Sequence, residues 1–407
     1  MSGGLWARSA GPHPLGGSAD VPDGRGVGMK GALLFGNFVI GCGVMVVPGT
    51  LNDMARSLQV SVALAGQLIA IAAVTMALGA PLLAGWVAGF DRRRLLALSL
   101  LWFAAGHALS ACMPDYATLW PVRALTMLAA AVFTPQAAAA IGFIAAPYER
   151  GRAITFIFLG WSVASVLGMP MTAWIGETYG WRMAFFAVAA LALVAAAWVF
   201  AVLPDGIRPA ALSRRAWKEV FTSPLLMAIV LVTALSGAGQ FTLFSYFTPY
   251  YKQVLGSSTE QITFLLMWFG AFAFIGNVVL TRVIDRVGPN VAVVVALSLI
   301  VLSLVFWPLG TGIVSVSVIL IPWALGCFSA NSTQQARLGI TAPALAPALM
   351  ALNTSAIYLG QAMGASSGGW LIAHFGFAPL HWVGLVWLAA AITLSLWAGR
   401  RAARGVA

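Results

Sequence analysis

One arginine of the sequence lies inside a long apolar stretch, where an isolated charge is costly. Arg123 is about six residues into a predicted helix, roughly 9 Å from its end at 1.5 Å per residue. A charge at this depth costs at least a few kcal/mol unless it faces a cavity or a partner, so Arg123 is a candidate for charge relay. The alternative is an arginine that reaches the membrane interface or ties helix carbonyls together.

Two other titratable residues are candidates for carrying protons with it. His107 lies at a similar depth on the neighbouring predicted helix, and histidine titrates near neutral pH; a hydrogen-bonded core histidine is the alternative. Asp53 ends the first apolar stretch and is either a proton site or a solvated loop acid. No acid shares the apolar run of Arg123, so its charge must be balanced by Asp53, by carbonyl dipoles or by a substrate. Asp53 is the leading candidate.

Other chemistry is not indicated by the residues present. All eleven acids fall in the N-terminal tail, in joints or at the ends of apolar stretches. The three cysteines lie in apolar stretches without CxxC spacing, and none of the three lysines follows the glycine pattern of a phosphate loop. A membrane enzyme and an ATP-driven pump are therefore not expected, and no metal or cofactor is predicted.

The elements that position these residues are predicted to be membrane helices. The chain is 61% hydrophobic and only 8% charged, which a soluble core could not accommodate. Its apolar runs are about 20 residues long, twice the length of a membrane β-strand, and favour helices. Twelve such stretches are predicted at 31–52, 61–88, 95–113, 117–143, 153–176, 182–203, 224–250, 260–282, 290–309, 312–338, 347–372 and 378–398.

Charge asymmetry predicts the orientation of these helices. Most of the 22 Lys and Arg residues lie in the tails and in the joints on the side that holds both termini, whereas the opposite side has only Arg56, Arg182 and Lys252. Positive joints face the cytoplasm, so both termini are predicted to be cytoplasmic. The expected location is a bacterial inner membrane, with the lipid bilayer as partner and no nucleic acid.

The longest joint divides the chain into two similar halves. Small residues at four-residue spacing recur in the fifth stretch (Gly160, Ala164 and Gly168) and the eleventh (Gly360, Gly364 and Gly368). Each of these stretches is followed by Gly and an aromatic, at Gly180 and Gly376. Such recurrence predicts two six-helix bundles related by an axis along the membrane normal. The expected organisation is a disordered tail (1–28), an N-terminal bundle (29–203), a cytoplasmic linker (204–223), a C-terminal bundle (224–399) and a basic tail (400–407).

Several short motifs stand out: the second joint (Gly85 to Arg94), Leu119 to Arg123, the fourth joint (Pro147 to Ala153), a glycine stripe ending in Pro170, and Asn353 to Gly364. Together they resemble the motifs of the major facilitator superfamily, and more narrowly of its twelve-helix drug/proton antiporter branch in the arabinose-efflux-like permease group. Gly89 stands where the family has an acid, Thr281 replaces a glycine, and Met169 is inserted in the stripe motif. Relatives commonly carry an acid in the first helix where this chain has Val44.

The resemblance implies an all-α major facilitator fold and a set of gating residues. The basic clusters of the second and eighth joints would latch the cytoplasmic mouth, and the glycine stripe with its proline would let helices slide. These gating residues are Asp91, Arg92, Arg93, Arg94, Gly160, Gly168, Pro170, Asp285, Arg286 and Gly288.

Neutral polar and aromatic side chains near the middle of the predicted helices are the candidates for a substrate cavity. Such groups suit an uncharged or amphipathic solute. They are Asn37, Trp161, Ser162, Ser165, Gln240, Trp268, Trp323, Tyr358 and Gln361.

The sequence therefore predicts a monomeric secondary transporter that exports a small drug-like compound or metabolite by alternating access, in exchange for protons. The alternative is a facilitator or importer of a sugar, a nucleoside or another small metabolite.

Overall fold

The computed structural model describes residues 23–87, 89–145, 150–208, 214–342 and 345–404. These residues are almost entirely helical and contain no β-strand. The predicted disordered tail over 1–28 is only partly within them: residues 1–22 lie outside the described residues, whereas the first helix begins at Asp23.

The first six apolar stretches form the N-terminal bundle. Its helices are α1 (Asp23–Ser57), α2 (Val62–Trp86), α3 (Arg92–Ala111), α4 (Tyr116–Ile144), α5 (Arg150–Val163), α6 (Met169–Tyr179) and α7 (Trp181–Val202). A π-helical segment, Ala164–Gly168, joins α5 to α6, so the fifth stretch is one long, irregular helix. A short amphipathic helix, α8 (Arg214–Thr222), ends the linker.

The second bundle repeats this arrangement. It consists of α9 (Pro224–Phe244), α10 (Phe247–Gln253), α11 (Thr259–Val287), α12 (Pro289–Phe306), α13 (Ile313–Thr341), α14 (Ala346–Phe375) and α15 (Leu380–Arg404). A break at Ser245 and Tyr246 separates α9 from α10 within the seventh stretch.

Eleven helical spans among the described residues are long and apolar enough to cross a membrane. The eleventh predicted stretch is helical too, as α14, but it is not among those eleven spans. It carries Asn353, Thr354, Ser355 and Gln361, and it packs between α9 and α2. A helix covered on two sides by protein needs less apolar surface than one that faces lipid.

Local signals explain several helix ends. Asp115 caps α4 by accepting a hydrogen bond from the backbone N–H of Thr118 at 2.9 Å, and this bond lowers the pKa of the Asp115 carboxyl. Gly180 and Gly376 end α6 and α14 with φ values of 90° and 71°, which side chains disfavour. In each half, the Gly that follows the fifth or the eleventh stretch thus forms the turn between two successive helices.

The glycine stripes pack inside their own bundles. A Cβ at Gly160 would overlap with backbone atoms of Leu34 and Phe38 on α1, and one at Gly360 would overlap with Ala234 on α9. These stripes allow the fifth stretch to lie directly on α1 and the eleventh directly on α9.

The bundles meet mainly through α2 with α14, through α11 with the π-helical segment and α6, and through α1 with α10. We call the end of the molecule that holds the linker the linker end, and the opposite end, which holds Asp53 and Lys252, the distal end. A hydrogen bond and an ion pair between the bundles lie at the distal end.

Candidate functional site

Arg123 is buried within the N-terminal bundle, 1% exposed, and its partners are neutral. Its Nη2 donates to the backbone oxygen of Gly43 on α1 at 2.8 Å, and its Nη1 lies 3.2 Å from Nε2 of His107 on α3. The ring of Phe185 on α7 lies 5.7 Å from the guanidinium carbon. Arg123 thus joins four helices of one bundle through a carbonyl, an imidazole and an aromatic face.

The hydrogen bonds of His107 determine which of its nitrogens carries the proton. Nδ1 lies 2.9 Å from the carbonyl oxygen of Phe103, which can only accept, so Nδ1 carries a hydrogen. Nε2 is then free to accept from Arg123. A second proton on Nε2 would place an imidazolium against the guanidinium, so this geometry favours neutral His107.

Asp53 has other partners than the predicted Arg123. Its carboxylate accepts from the backbone N–H of Trp181 at 2.7 Å, and it pairs with Arg56 at 3.1 Å. It therefore caps α7 and ties α1 to it at the distal end. In this structure the carboxylate of Asp53 binds the first turn of α7, where backbone N–H groups have no partner within the helix, and not Arg123.

An ion pair at the distal end joins the two bundles. Nζ of Lys252 on α10 lies 3.4 Å from Oε2 of Glu177 on α6; the side chains are 38% and 8% exposed. Nearby, the hydroxyl of Thr248 donates a short hydrogen bond to the backbone oxygen of Pro48 on α1. These contacts hold the distal ends of the bundles together.

Sequence reasoning did not select Glu177 or Lys252. Both lie at the ends of apolar stretches, where charged residues are common. The signal that could have found Lys252 is that it is one of only three basic residues on the sparsely charged side. An acid at the end of the fifth stretch is the complementary charge.

Small residues continue the contact between bundles away from the distal end. The ring and hydroxyl of Tyr246 lie over Gly66 of α2, and a Cβ on Gly66 would overlap with them. Further in, Gly270 of α11 lies against the backbone of Ser165 and Val166, which belong to the π-helical segment. Ser165, predicted to line the cavity, is thus at the bundle interface and is buried.

The structure disperses the other predicted cavity residues. Asn37 donates to the backbone oxygen of Ile157 at 3.2 Å, which ties α1 to α5, while Trp323 is buried among Phe247, Phe269 and Trp307. Ser162, Gln240, Tyr358 and Gln361 are buried, and only Trp161 and Trp268 are partly exposed.

Trp161 and Trp268 differ in their surroundings. The ring of Trp161 lies beside Gly41 of α1. The Nε1 of Trp268 donates to the backbone oxygen of Ser317 on α13 at 2.9 Å, and its ring packs on Phe264 and Phe272. Trp161 is thus next to the helix that carries Asn37 and Gly43, whereas Trp268 ties two helices of the C-terminal bundle together.

At the linker end, the predicted latch is built into the N-terminal bundle and the linker. Asp91 caps α3 and also accepts from the backbone N–H of Gly206. Arg93 pairs with Asp205 at 2.8 Å, and buried Arg92 donates to the backbone oxygens of Val87 and Phe90. These bonds fasten the start of the linker to α3.

The remaining predicted gating residues are less connected. Arg94 donates its backbone N–H to Asp91, and Arg286 is exposed in the last turn of α11. Gly288 ends that helix with a φ of 77°. The side chain of Asp285 lies outside the described residues. Pro170 is the second residue of α6, just after the π-helical segment, where a missing N–H is tolerated.

The buried position of Arg337 was missed because sequence reasoning placed this arginine at the cytoplasmic surface. Arg337 of α13 is 2% exposed, and its Nη1 and Nη2 donate to the hydroxyl and the backbone oxygen of Ser395 on α15 at 3.0 and 3.1 Å. Its neighbour Gln334 donates to the backbone of α9. The fourth stretch of each half thus carries one buried arginine, near opposite ends of the molecule.

The described residues offer no group of three or more His, Cys, Asp or Glu that could hold a metal ion. Their buried polar side chains are amides, hydroxyls, the imidazoles of His107 and His381, and the arginines discussed above. Such a set can hold helices together and contact a neutral solute.

Comparisons with known proteins agree with this architecture. The sequence model of the Major Facilitator Superfamily matches residues 33–344. The chain is 28% identical over 363 residues to the "Uncharacterized MFS-type transporter YbcL" of Bacillus subtilis, covering 88% of this chain and 93% of that protein. It is 29% identical over 352 residues to the "Inner membrane transport protein YdhP" of Escherichia coli, covering 86% and 90%.

Solved structures share the fold at low identity. A bacterial homologue of the human lysosomal transporter Spinster, in an inward-facing and occupied conformation, aligns with a TM-score of 0.73 at 16% identity, covering 91% of this chain and 96% of that one. A D-xylose-proton symporter aligns with a TM-score of 0.72 at 18% identity, covering 90% and 97%. With the family matched over most of its length, the chain belongs to the major facilitator superfamily and is a secondary transporter of a small solute rather than an enzyme.

Proposed function

We propose that the protein exports a small uncharged or amphipathic solute across a bacterial inner membrane by alternating access, in exchange for protons. The linker end would face the cytoplasm and the distal end the periplasm, in keeping with the basic linker and basic helix ends at the linker end. The similarity to an inner membrane transport protein supports the same location.

The observation that carries this proposal is the ion pair between Glu177 and Lys252. It joins the bundles at the distal end, so the conformation it stabilises has that end closed. A transporter closed toward the periplasm exchanges solute with the cytoplasm, which is the loading step of export and the release step of import.

The same pair offers a route for proton exchange. Opening the distal end must separate Glu177 from Lys252 and expose a carboxylate that was nearly buried. A proton from the periplasm can neutralise this carboxylate while the end is open. The protonated carboxyl would stay uncharged while the distal end closes. Re-forming the pair with Lys252 would then release the proton toward the cytoplasmic cavity, which completes the exchange.

In this proposal, the predicted coupling residues Arg123, His107 and Asp53 have a structural role. Their bonds hold α1, α3, α4 and α7 together in the distal half of the N-terminal bundle. They would keep α1 rigid while its contact with α10 opens. A direct proton role for His107 would require Arg123 to move away first.

The neutral substrate class rests on the residues near mid-membrane. The partly exposed Trp161 lies beside α1, close to buried Asn37 and Ser162, and none of these three side chains carries a charge. An aromatic face with amide and hydroxyl groups suits an amphipathic solute.

The test is transport by purified protein in proteoliposomes with an imposed pH gradient and a pH-sensitive dye inside. Candidate solutes of neutral, amphipathic and anionic classes are added one at a time. We expect a transported amphipathic solute to dissipate the gradient with the wild-type protein, and Glu177→Gln protein to move solute without moving protons.

A matched control is Glu260→Gln, which removes an exposed acid from the same end of the molecule. Solute uptake that is insensitive to the pH gradient would contradict proton exchange and favour a facilitator. Uptake restricted to sugars or nucleosides would contradict the substrate class.

A further inference from the structure

The linker helix α8 has two chemically distinct faces. Over nine residues, the helical period places Trp217, Val220 and Phe221 on one side. The other side carries the basic Arg215 and Lys218 together with one exposed acid, Glu219. A short surface helix with this division is typical of segments that lie in a membrane interface.

The apolar face of α8 is only partly used by the protein. Val220 is fully buried in a cluster that also contains Leu226 and Leu349, so it anchors α8 to the linker end of the second bundle. The rings of Trp217 and Phe221 stack on each other at 5.9 Å along the edge of this contact. Phe221 remains 56% exposed.

The basic side chains of α8 are exposed beside this aromatic pair. Arg215 and Lys218 are exposed, and neither takes part in a salt bridge within the described structure. The helix therefore presents an aromatic edge next to two free cations, at the end of the transmembrane helix α9.

We propose that α8 binds anionic phospholipids of the leaflet at the linker end. Arg215 and Lys218 would contact the headgroup phosphates, and the rings of Trp217 and Phe221 would enter the boundary between headgroups and acyl chains. The aromatic edge favours a lipid over free phosphate, because a free anion has no apolar part to cover these rings. This inference goes beyond transport and does not depend on the export direction.

Lipid binding at α8 would restrain the linker at the membrane surface. The start of the linker is fastened to α3 by Arg93 with Asp205, and its end is fastened to the second bundle by Val220. A lipid bound to α8 therefore contacts the segment of the chain that connects the two bundles.

The test uses the full-length protein, with its three cysteines replaced and a nitroxide attached at Thr222→Cys. The protein is reconstituted in vesicles of phosphatidylcholine alone or of phosphatidylcholine with phosphatidylglycerol. The accessibility of the nitroxide to oxygen, relative to a water-soluble nickel chelate, reports how deeply α8 is immersed.

We expect phosphatidylglycerol to increase immersion in the wild-type background. The variant Arg215→Gln/Lys218→Gln should require on the order of tenfold more phosphatidylglycerol for the same change. The matched control Arg282→Gln/Arg286→Gln removes two exposed charges from the same end of the molecule and should behave like wild type.

Three outcomes would overturn the proposal. Immersion that does not respond to phosphatidylglycerol in the wild-type background would show that α8 does not bind this lipid. An equal loss in the control variant would show a general charge effect. Immersion changed by inorganic phosphate in phosphatidylcholine vesicles would indicate a free-anion site.

Discussion

Lys252 and Glu177 approach to 3.4 Å across the two bundles, with the carboxylate side nearly buried and the ammonium side partly exposed. Glu177 lies in the last turn of α6, at the end of the fifth stretch, and Lys252 lies in the last turn of α10, at the end of the seventh stretch. Any opening of the distal end must separate them.

Breaking this ion pair should favour the open distal end. Because Lys252 is partly exposed, the pair contributes about 1 kcal/mol, which is about a fivefold change in the equilibrium. We expect Glu177→Gln and Lys252→Met to increase, by about that factor, the rate at which an impermeant maleimide labels a cysteine at Gln67. Gln67 contacts Gly369 of the other bundle, and exposed Cys112 is replaced by Ser.

A charge swap provides the control for this measurement. Glu177→Lys combined with Lys252→Glu restores a pair of opposite charges and should return labelling toward the wild-type rate. Labelling that is unchanged in both single variants would show that the pair does not hold the distal end closed.

Removing the acceptor of Arg123 should destabilise the N-terminal bundle. In His107→Phe, Nη1 of Arg123 loses its hydrogen-bond partner inside the bundle, which costs about 1–3 kcal/mol. We expect a melting temperature lower by several degrees in detergent, whereas His107→Asn, which keeps an acceptor, should lose less. Equal stability of His107→Phe and wild type would contradict the neutral-acceptor role.

Arg123 itself should matter more for folding than for proton coupling. Its partners are Gly43 and His107 within one bundle, so Arg123→Gln should lower the yield of folded protein. The pH dependence of transport per folded molecule should stay close to that of wild type. Loss of the pH dependence in well-folded Arg123→Gln protein would instead support the predicted relay.

The contact between Gly168 and Cys42 can be tested by a compensating change. A Cβ at Gly168 would overlap with Sγ of Cys42, while the Cys42 Cβ is 3.4 Å away. We expect Gly168→Ala to reduce transport and stability in the wild type, and to be tolerated when Cys42 is replaced by Ala. Gly85→Ala, with open space around it, is the control. If Gly168→Ala has the same effect with Cys42 and with Ala at position 42, then steric overlap between these two positions does not cause the effect.

Topology can be checked with reporters. A reporter fused after residue 212 should be cytoplasmic, and one near Gly256 should be periplasmic. The reverse pattern would invert the assignment of the linker and distal ends to the two sides of the membrane.

Helix positions could be predicted from the sequence because apolar length is a local property. Each of the twelve predicted stretches corresponds to helix, including α14, whose polar residues keep it out of the eleven apolar spans. The recurrence of Gly180 and Gly376 also marked equivalent chain reversals in the two halves.

Site residues were harder to predict because their roles depend on which helices touch. Arg123 and His107 were selected by their unusual depth, and the structure does bring them together. Asp53 was proposed as the partner of Arg123 because no other acid was near it in the sequence, but the structure places Asp53 against α7. Trp323 was predicted to line the cavity, but it lies in an aromatic cluster inside one bundle.

The sequence by itself determined that this chain is a twelve-helix membrane protein in two related halves, because hydropathy and glycine spacing act over a few turns of a single helix. Only the tertiary structure decided that Glu177 meets Lys252 and that Arg337 is buried against Ser395. Glu177 and Lys252 are far apart along the chain, and so are Arg337 and Ser395. Their contacts arise from the packing of helices that are not neighbours in sequence, and no local pattern records that packing.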